Sequence, residues 1–419
     1  MHTTQHRGYT GVTPARRTGF RLLLAAQFAA DTAQYALLFA ATVVLEERTH
    51  SSAGMAWMIL CSTLPGALFG PIAGLVVDRR DRVGVLVAAN ALRWVAALGF
   101  VLAQGQGNLR ALLLAVYAAC FTLSAAAQFI SPAQGALTPD VAGRGSALLK
   151  ANSLVYLLSL ATQVLGVVVL APSLLKRAGA GAVGVLGALL YLAATVLCLR
   201  LRRELPAQAL QGRALSDVWA DLRAGWSLIL RDRSLSWTTL QLTGMAFAGL
   251  TLITLAPGMA ARVLGAHVAD VAYLALPAGL GFGLGLLLLG RRSQWLERAV
   301  WMRVGLFGFG LGLAILGLGA GRTGWGLALL ALSGLAIGLG FALVNVTGRA
   351  ALQERPPPNM RGRVLASQAT LANLVTSLPL PLVGALADRV GIRSVYLVLA
   401  VPVLGVAGWE RFSVWARMG

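Results

Sequence analysis

The chain has 419 residues, 57% of them hydrophobic and only 12% charged, with a mean hydropathy of +0.74. That is far more apolar surface than a soluble core of this size needs, which excludes the soluble classes and leaves a polytopic membrane protein. A formal net charge of +20 would suit a nucleic-acid binder, but the basic residues are strung along short connections and form no single soluble face, so no nucleic-acid partner is expected.

Taken in order, the chain starts with a basic tail, 1–19. Apolar runs follow near 20–44, 53–77, 84–104, 109–131, 147–171 and 181–200. After a polar connection, 201–235, six more lie near 236–260, 269–290, 300–320, 324–348, 364–387 and 392–409, with a short tail at 411–419. Each is long enough to cross about 30 Å of hydrocarbon, which takes about 20 helical residues. The runs are continuous and do not alternate in steps of two, which predicts helices and not a barrel. The expected fold class is therefore all-α, with twelve transmembrane helices in two groups of six, 20–200 and 236–410.

The charges orient these spans. With the N-terminus inside, the tail and the even-numbered connections hold about 26 of the 35 Lys and Arg, the excess expected of cytoplasmic loops. Both termini are thus expected in the cytoplasm. Within the connection 201–235, Leu215, Val218, Trp219, Leu222, Trp226, Ile229 and Leu230 recur at three- and four-residue steps opposite Asp217, Asp221, Arg223 and Arg231. That spacing predicts an amphipathic helix lying on the membrane surface. Cys61, Cys120 and Cys198 fall singly inside apolar runs and read as small core residues; no metal site or cofactor is expected.

One acid breaks the apolar pattern. Asp31 lies about 16 Å past Phe20 at 1.5 Å per residue, near the bilayer midplane, where inserting an Asp costs about 2.5–3.5 kcal/mol. The other acids sit in loops or at span ends, so Asp31 alone is expected to bear that cost. Gln27, Asp31, Gln34 and Tyr35 share one face of the first helix, which should look onto a cavity and not onto lipid. A low-dielectric cavity disfavours a bare carboxylate, so Asp31 is expected to exchange protons; the alternative is a structural acid capped by Gln27, Gln34 or a buried arginine.

Further polar stripes suggest the rest of a lining: Tyr117, Phe121, Ser124 and Gln128 in the fourth span; Asn152, Tyr156 and Gln163 in the fifth; Gln241, Asn345 and Asn373 in the second half. A few convergent polar groups among aromatics suit an amphipathic small molecule. Arg93 is the one cation well inside a span. It could pair with Asp31, hold an anionic substrate, or snorkel toward the headgroups with help from Asn90. No phosphate-binding loop, metal cluster or nucleophile–base pair accompanies these residues, so an enzyme is not expected.

The halves echo each other: "ALTPDVAGRGSALLKANSL" (136–154) follows the fourth span and "ALQERPPPNMRGRVLASQATLANL" (351–374) the tenth. Duplicated six-span halves are a transporter architecture. At the end of the second span, "GPIAGLVVDRRDRVGVL" (70–86) carries Gly74, Asp78, Arg79 and Arg82 in the positions of the loop signature G-x-L-a-D-R-x-G-R, with Val76 for the Leu and Asp81 for the second Gly. This resembles the major facilitator superfamily. The segments "PAQGALTPD", "DLRAGWSLILRDRSL" and "ALQERPPPNMRGRV" are similar to its bacterial macrolide-efflux and enterobactin-exporter branch.

The resemblance implies a major facilitator fold of two pseudo-symmetric bundles. It implies alternating-access efflux of an amphipathic molecule in exchange for protons, by a monomer in a bacterial inner membrane. Asp78, Arg79 and Arg82 inherit an inner-gate role from it, with Gly74 allowing close helix packing. "GLLLLGRRSQWLER" from Gly285 repeats the arginines of that loop as Arg291 and Arg292 without the aspartate. "GALADRVGIR" (384–393) reads as an external turn in which Gly384 and Gly391 aid packing. Two marks of drug–proton antiporters are missing: an arginine in span four and a Gly-Pro pair in span five, where Val167 follows Gly166. A lipid or lysolipid flippase of the same fold is the closest alternative, since an apolar cavity with few charges would also suit an acyl chain, while a sensor would need a soluble output domain.

Overall fold

The structure, a computed structural model, describes residues 14–105, 107–142, 146–204, 215–268, 275–292, 297–319, 325–357 and 360–415. Every regular element among them is helical. The first half comprises α1 (Pro14–Thr49), α2 (Ser52–Arg79), α3 (Arg82–Gln104), α4 (Leu109–Ala142), α5 (Ser146–Val164), a π-helical segment (Leu165–Leu170) and α6 (Ala171–Glu204). The connecting helix is α7 (Leu215–Arg231). The second half holds α8 (Arg233–Gly258) with a π-helical end (Met259–Val263), α9 (Leu276–Arg292), α10 (Arg298–Gly319), α11 (Trp325–Glu354), α12 (Arg361–Ser377), α13 (Leu380–Val390) and α14 (Ile392–Trp415).

These helices make twelve crossings. Among the described residues nine stretches are long and apolar enough to span a bilayer, and two shorter apolar helices, Leu276–Gly290 and Ile392–Gly408, add to them. One of the nine, Lys150–Glu204, is two passes: the chain breaks helical geometry at Gly179, where φ is 75° and ψ 180°. A side chain rarely adopts such a φ, so a glycine is needed there. Short polar side chains start the next crossings. Ser51 accepts the Gly54 N–H at the head of α2, and Asp81 the Val83 N–H at the head of α3. Each thereby satisfies a donor that a helix start leaves open.

In the first half α6 packs on α1 and α3, and α4 on α2 and α3, around an alanine-rich core with Phe100 and Tyr191 at its centre. In the second half α11 is flanked by α9 and α10, and α14 packs on α10. Here glycines bring the backbones together. A methyl group on Gly338 would meet the Ala278 carbonyl oxygen, and one on Gly340 the Gly305 carbonyl. In lipid, where apolar burial does not favour one helix contact over another, such close approach gives helices their contact energy. The halves meet where α2 runs along α12 and α13.

Two expectations are corrected. The segment 384–393, expected as a turn, is helical to Val390 and again from Ile392, with the turn confined to Gly391. Gly384 packs against α2, where a Cβ would meet the Ser52 carbonyl, whereas Gly391 (φ 87°) ends the helix and has nothing within 4 Å of a Cβ. The amphipathic α7 does not merely lie on a surface: Gly225 abuts the backbone of α12 at Arg363, Ser367 Oγ donates to the Leu222 carbonyl at 2.9 Å, and Arg363 pairs with Asp221 at 2.8 Å. The side chains of Leu215, Asp217, Val218, Arg291 and Arg292 lie outside the described set, as do residues 1–13 and 416–419.

Candidate transport cavity and its two ends

The polar stripe of α1 is split between two neighbours. Gly166, in the π-helical segment, is buried with room for no side chain: a Cβ would stand 3.0 Å from the Thr32 carbonyl and 2.9 Å from Tyr35 Cβ. This close approach seats the fifth span on α1 and brings Ser159 to the stripe. Gln27 Nε2 donates to Ser159 Oγ at 2.9 Å and to Asp31 Oδ2 at 3.3 Å, and Ser159 Oγ donates to Asp31 Oδ2 at 3.4 Å. Half-buried Asp31 is thus held in a triangle of neutral groups. On the other side Gln34 Oε1 accepts from Tyr191 OH at 3.0 Å.

Arg93 is only 3% exposed and does not snorkel. Its Nε donates to the Leu123 carbonyl at 3.3 Å, its guanidinium lies 5.6 Å from the centroid of the Tyr191 ring, and Nη1 has no partner. Asn90 offers it no help, because its amide donates to Leu86 O and lies against Cys198 Sγ. Arg93 makes no ion pair with Asp31 among the described residues, but its charge acts on that carboxylate through space.

Between the halves lies a cavity of ≈ 650 Å³, running from Gly66, Gln128 and Asn373 at mid-depth to Gly74, Asp221 and Arg363 at the arginine-rich end. Its walls are small residues: Gly66, Gly70 and Gly74 of α2 face Ala366, Ala369 and Thr370 of α12. Of the predicted lining, Gln128 and Asn373 border this cavity. The others are engaged elsewhere. Tyr117 donates to the Gly54 carbonyl, Phe121 packs edge-on against Phe69, Ser124 and Gln241 are buried, and Asn345 turns back to the Phe341 carbonyl. Asn152, Tyr156 and Gln163 are exposed on α5, which packs on α1 and α4. The sequence did hold a sign of the glycine wall, in its four-residue spacing along one face of α2.

Gly74 therefore faces open space: a Cβ there would meet nothing within 4 Å, so it lines the cavity and does not serve close packing. Arg82 and Asp81 bond within the first half. Arg82 pairs with Asp140 at 3.1 Å and donates to the Ala136 carbonyl; Asp81 lies 2.9 Å from Arg202 Nε. Asp78 and Arg79 are exposed. On the second half Asp232 caps α8 and pairs with Arg355 at 3.2 Å. Desolvation, the largest single influence on Asp232, is outweighed by the Leu235 N–H, Arg355 and the Ser234 N–H together, which hold its carboxyl below the usual range.

The opposite end carries ionic contacts across the halves, and the sequence reading missed them. Asp388, at the end of α13, accepts from Ser51 Oγ at 2.8 Å, Ser52 N at 2.7 Å and Ala53 N at 3.0 Å, capping a helix of the other half. Arg262, past α8, reaches Asp388 at 3.1 Å, Ser52 Oγ at 2.6 Å and, by Nε, Glu46 Oε1 at 3.0 Å. Glu46 is 0% exposed, so the expectation that Asp31 alone bears a buried charge fails. The Arg262 N–H is near Glu46 without pointing at it, and both Glu46 oxygens lack an aligned donor. The Asp-Arg step 388–389 and a lone arginine at the end of the seventh span were the available signals.

Comparisons with known proteins agree with this architecture. The model of the Major Facilitator Superfamily matches residues 23–379. Macrolide efflux protein A of Streptococcus pyogenes is 24% identical over 384 residues, 89% of this chain and 89% of that protein. Its counterpart in Enterococcus faecalis is 26% identical over 271 residues, 62% of this chain and 79% of that protein. A POT family transporter crystallised with 5-aminolevulinic acid shares the fold at a TM-score of 0.72 and 12% identity, over 94% of this chain and 95% of that one. The nucleoside transporter NupG does so at 0.70 and 14%, over 94% and 98%. The chain belongs to the Major Facilitator Superfamily, a family of transporters and not of enzymes.

Proposed function

We propose that this transporter exports an amphipathic small molecule from the cytoplasm of a bacterium in exchange for protons, with Asp31 as the proton carrier. The observation that carries the coupling is the setting of Asp31. Its hydrogen bonds come from Gln27 and Ser159, both neutral, so it can gain or lose a proton without breaking an ion pair. Arg93 lies buried nearby with an unpartnered Nη1. The similarity to macrolide efflux proteins supports efflux of a large, largely apolar substrate. The cavity's glycine and alanine walls, with amides of Gln128 and Asn373 at their inner limit, suit such a molecule.

With the arginine-rich end in the cytoplasm, the cavity reaches the inside, while the Glu46–Arg262–Asp388 contacts close the outside. Alternating access then consists of parting those contacts while α2 and α12 close over the cavity. Asp31→Asn keeps the shape and the Gln27 contact but cannot carry a proton. In proteoliposomes it should abolish gradient-driven efflux while substrate binding, read by thermal shift, persists. Undiminished proton-driven efflux by that variant would refute the coupling role.

A further inference from the structure

The outer contacts contain two carboxylates and one guanidinium, and the two acids are not equivalent. Asp388 is satisfied by one hydroxyl and two backbone N–H groups before Arg262 is counted. Glu46 has no aligned donor on either oxygen and no solvent exposure. Arg262 is shared between them and Ser52. With both acids ionised the group carries an excess negative charge, and the excess sits where solvation is poorest. One proton on Glu46 makes the group neutral and removes the buried charge, leaving the Arg262–Asp388 pair intact.

The neighbouring charges do not supply a better partner. From α1 itself His50 acts on Glu46 from the end of the helix, and Arg48, two residues on, is exposed. From the segment after α8, His267 stands 4.0 Å from Glu47, the next residue in the chain, and not on Glu46. From α13 the nearby charge is Asp388, which repels. When the halves part on this side, Glu46 gains water and its proton is no longer favoured.

We propose that Glu46 is a second proton-binding residue, one that belongs to the outer gate: the gate closes over a protonated Glu46 and sheds that proton to the outside when it opens. The inference rests on the proposed exchange for protons, and it adds a site distinct from Asp31. By linkage, acid should favour the closed outer gate, with the closed-to-open ratio rising up to about tenfold per pH unit, the limit for one linked proton.

The test uses the full-length protein in nanodiscs, with Cys61, Cys120 and Cys198 replaced by alanine and spin labels at Leu109→Cys and Leu276→Cys, one at the outer end of each half. The label distance distribution is measured between pH 5 and 8. Wild type should shift toward the closed distance on acidification. In an Asp31→Asn background, which removes the other proposed proton carrier, the shift should persist, and adding Glu46→Gln should give a closed distribution that does not change with pH. An infrared difference spectrum should show a protonated-carboxyl band that Glu46→Gln removes and Asp31→Asn leaves. In the Asp31→Asn background, a profile without pH dependence, or one that still titrates after Glu46→Gln is added, overturns the inference. Failure of the Asp31 role is read separately, as undiminished efflux by Asp31→Asn.

Discussion

The two ends of this transporter use charge in opposite ways. At the arginine-rich end, the ion pairs of the signature loop stay inside the first half: Arg82 with Asp140, and Asp81 with Arg202. Asp232 and Arg355, and Arg298 and Glu354, stay inside the second. At the outer end, Arg262 and Asp388 of one half hold Glu46 and Ser51–Ala53 of the other. Pairs within a half move with it and cost nothing when the cavity opens. Pairs between halves must be broken for the opposite opening, so they set its free energy. Among the described pairs, those across the halves lie at the end opposite the arginine-rich loops and those of the signature loop stay within a half, which is what a cavity reaching the arginine-rich side requires.

The comparison can be broken most severely at Arg262. Arg262→Gln removes the cation that Glu46, Asp388 and Ser52 share; read at pH 8, where Glu46 is ionised, it leaves a buried carboxylate beside Asp388, and removing one partner of a buried pair costs about 3–5 kcal/mol. The outer-closed state should lose most of its population, seen as a longer Leu109–Leu276 label distance. Gly384→Val attacks the same end sterically. Its Cβ would stand 2.4 Å from the Ser52 carbonyl, against backbone that cannot yield. Overpacking of this kind costs about 1–3 kcal/mol, and the same label distance should lengthen less than in Arg262→Gln. The smallest effect belongs to the inner end. Arg82→Gln removes a pair whose acid is 43% exposed, which is worth about 0–1 kcal/mol. Its thermal stability should fall only slightly and the outer label distance should not move. A lengthening equal to that of Arg262→Gln would show that the signature loop governs the outer end after all.

Much of the architecture was legible in the residues. Continuous apolar runs, the polar break at 201–235 and the echo of 136–154 in 351–374 were enough for twelve helices in two halves. The signature at Gly74–Arg82 was enough for the family. The cavity was legible only in part. Gln128 and Asn373 were found because an amide deep in a span is costly, but the walls between them are glycine and alanine, which carry no chemistry to notice. The side chains of Gln27 and Gln34 read as lining and turned out to be bonded to Ser159 and Tyr191. A polar stripe on one helix says that a partner exists, and another helix is as good a partner as a substrate.

The outer contacts show the same limit from the other side. Glu46 lies near a span end, where an acid ordinarily meets water, and Asp388 lies in a segment that reads as a turn. Each is unremarkable alone; together with Arg262, far from both in the chain, they tie the halves. The sequence by itself determined that this chain crosses a membrane twelve times, which family it joins and that Asp31 is costly, because hydropathy, repeat and motif are local properties of the chain. Only the tertiary structure decided which charges face one another and which end is closed, because burial and Coulomb energy depend on distances between residues hundreds of positions apart.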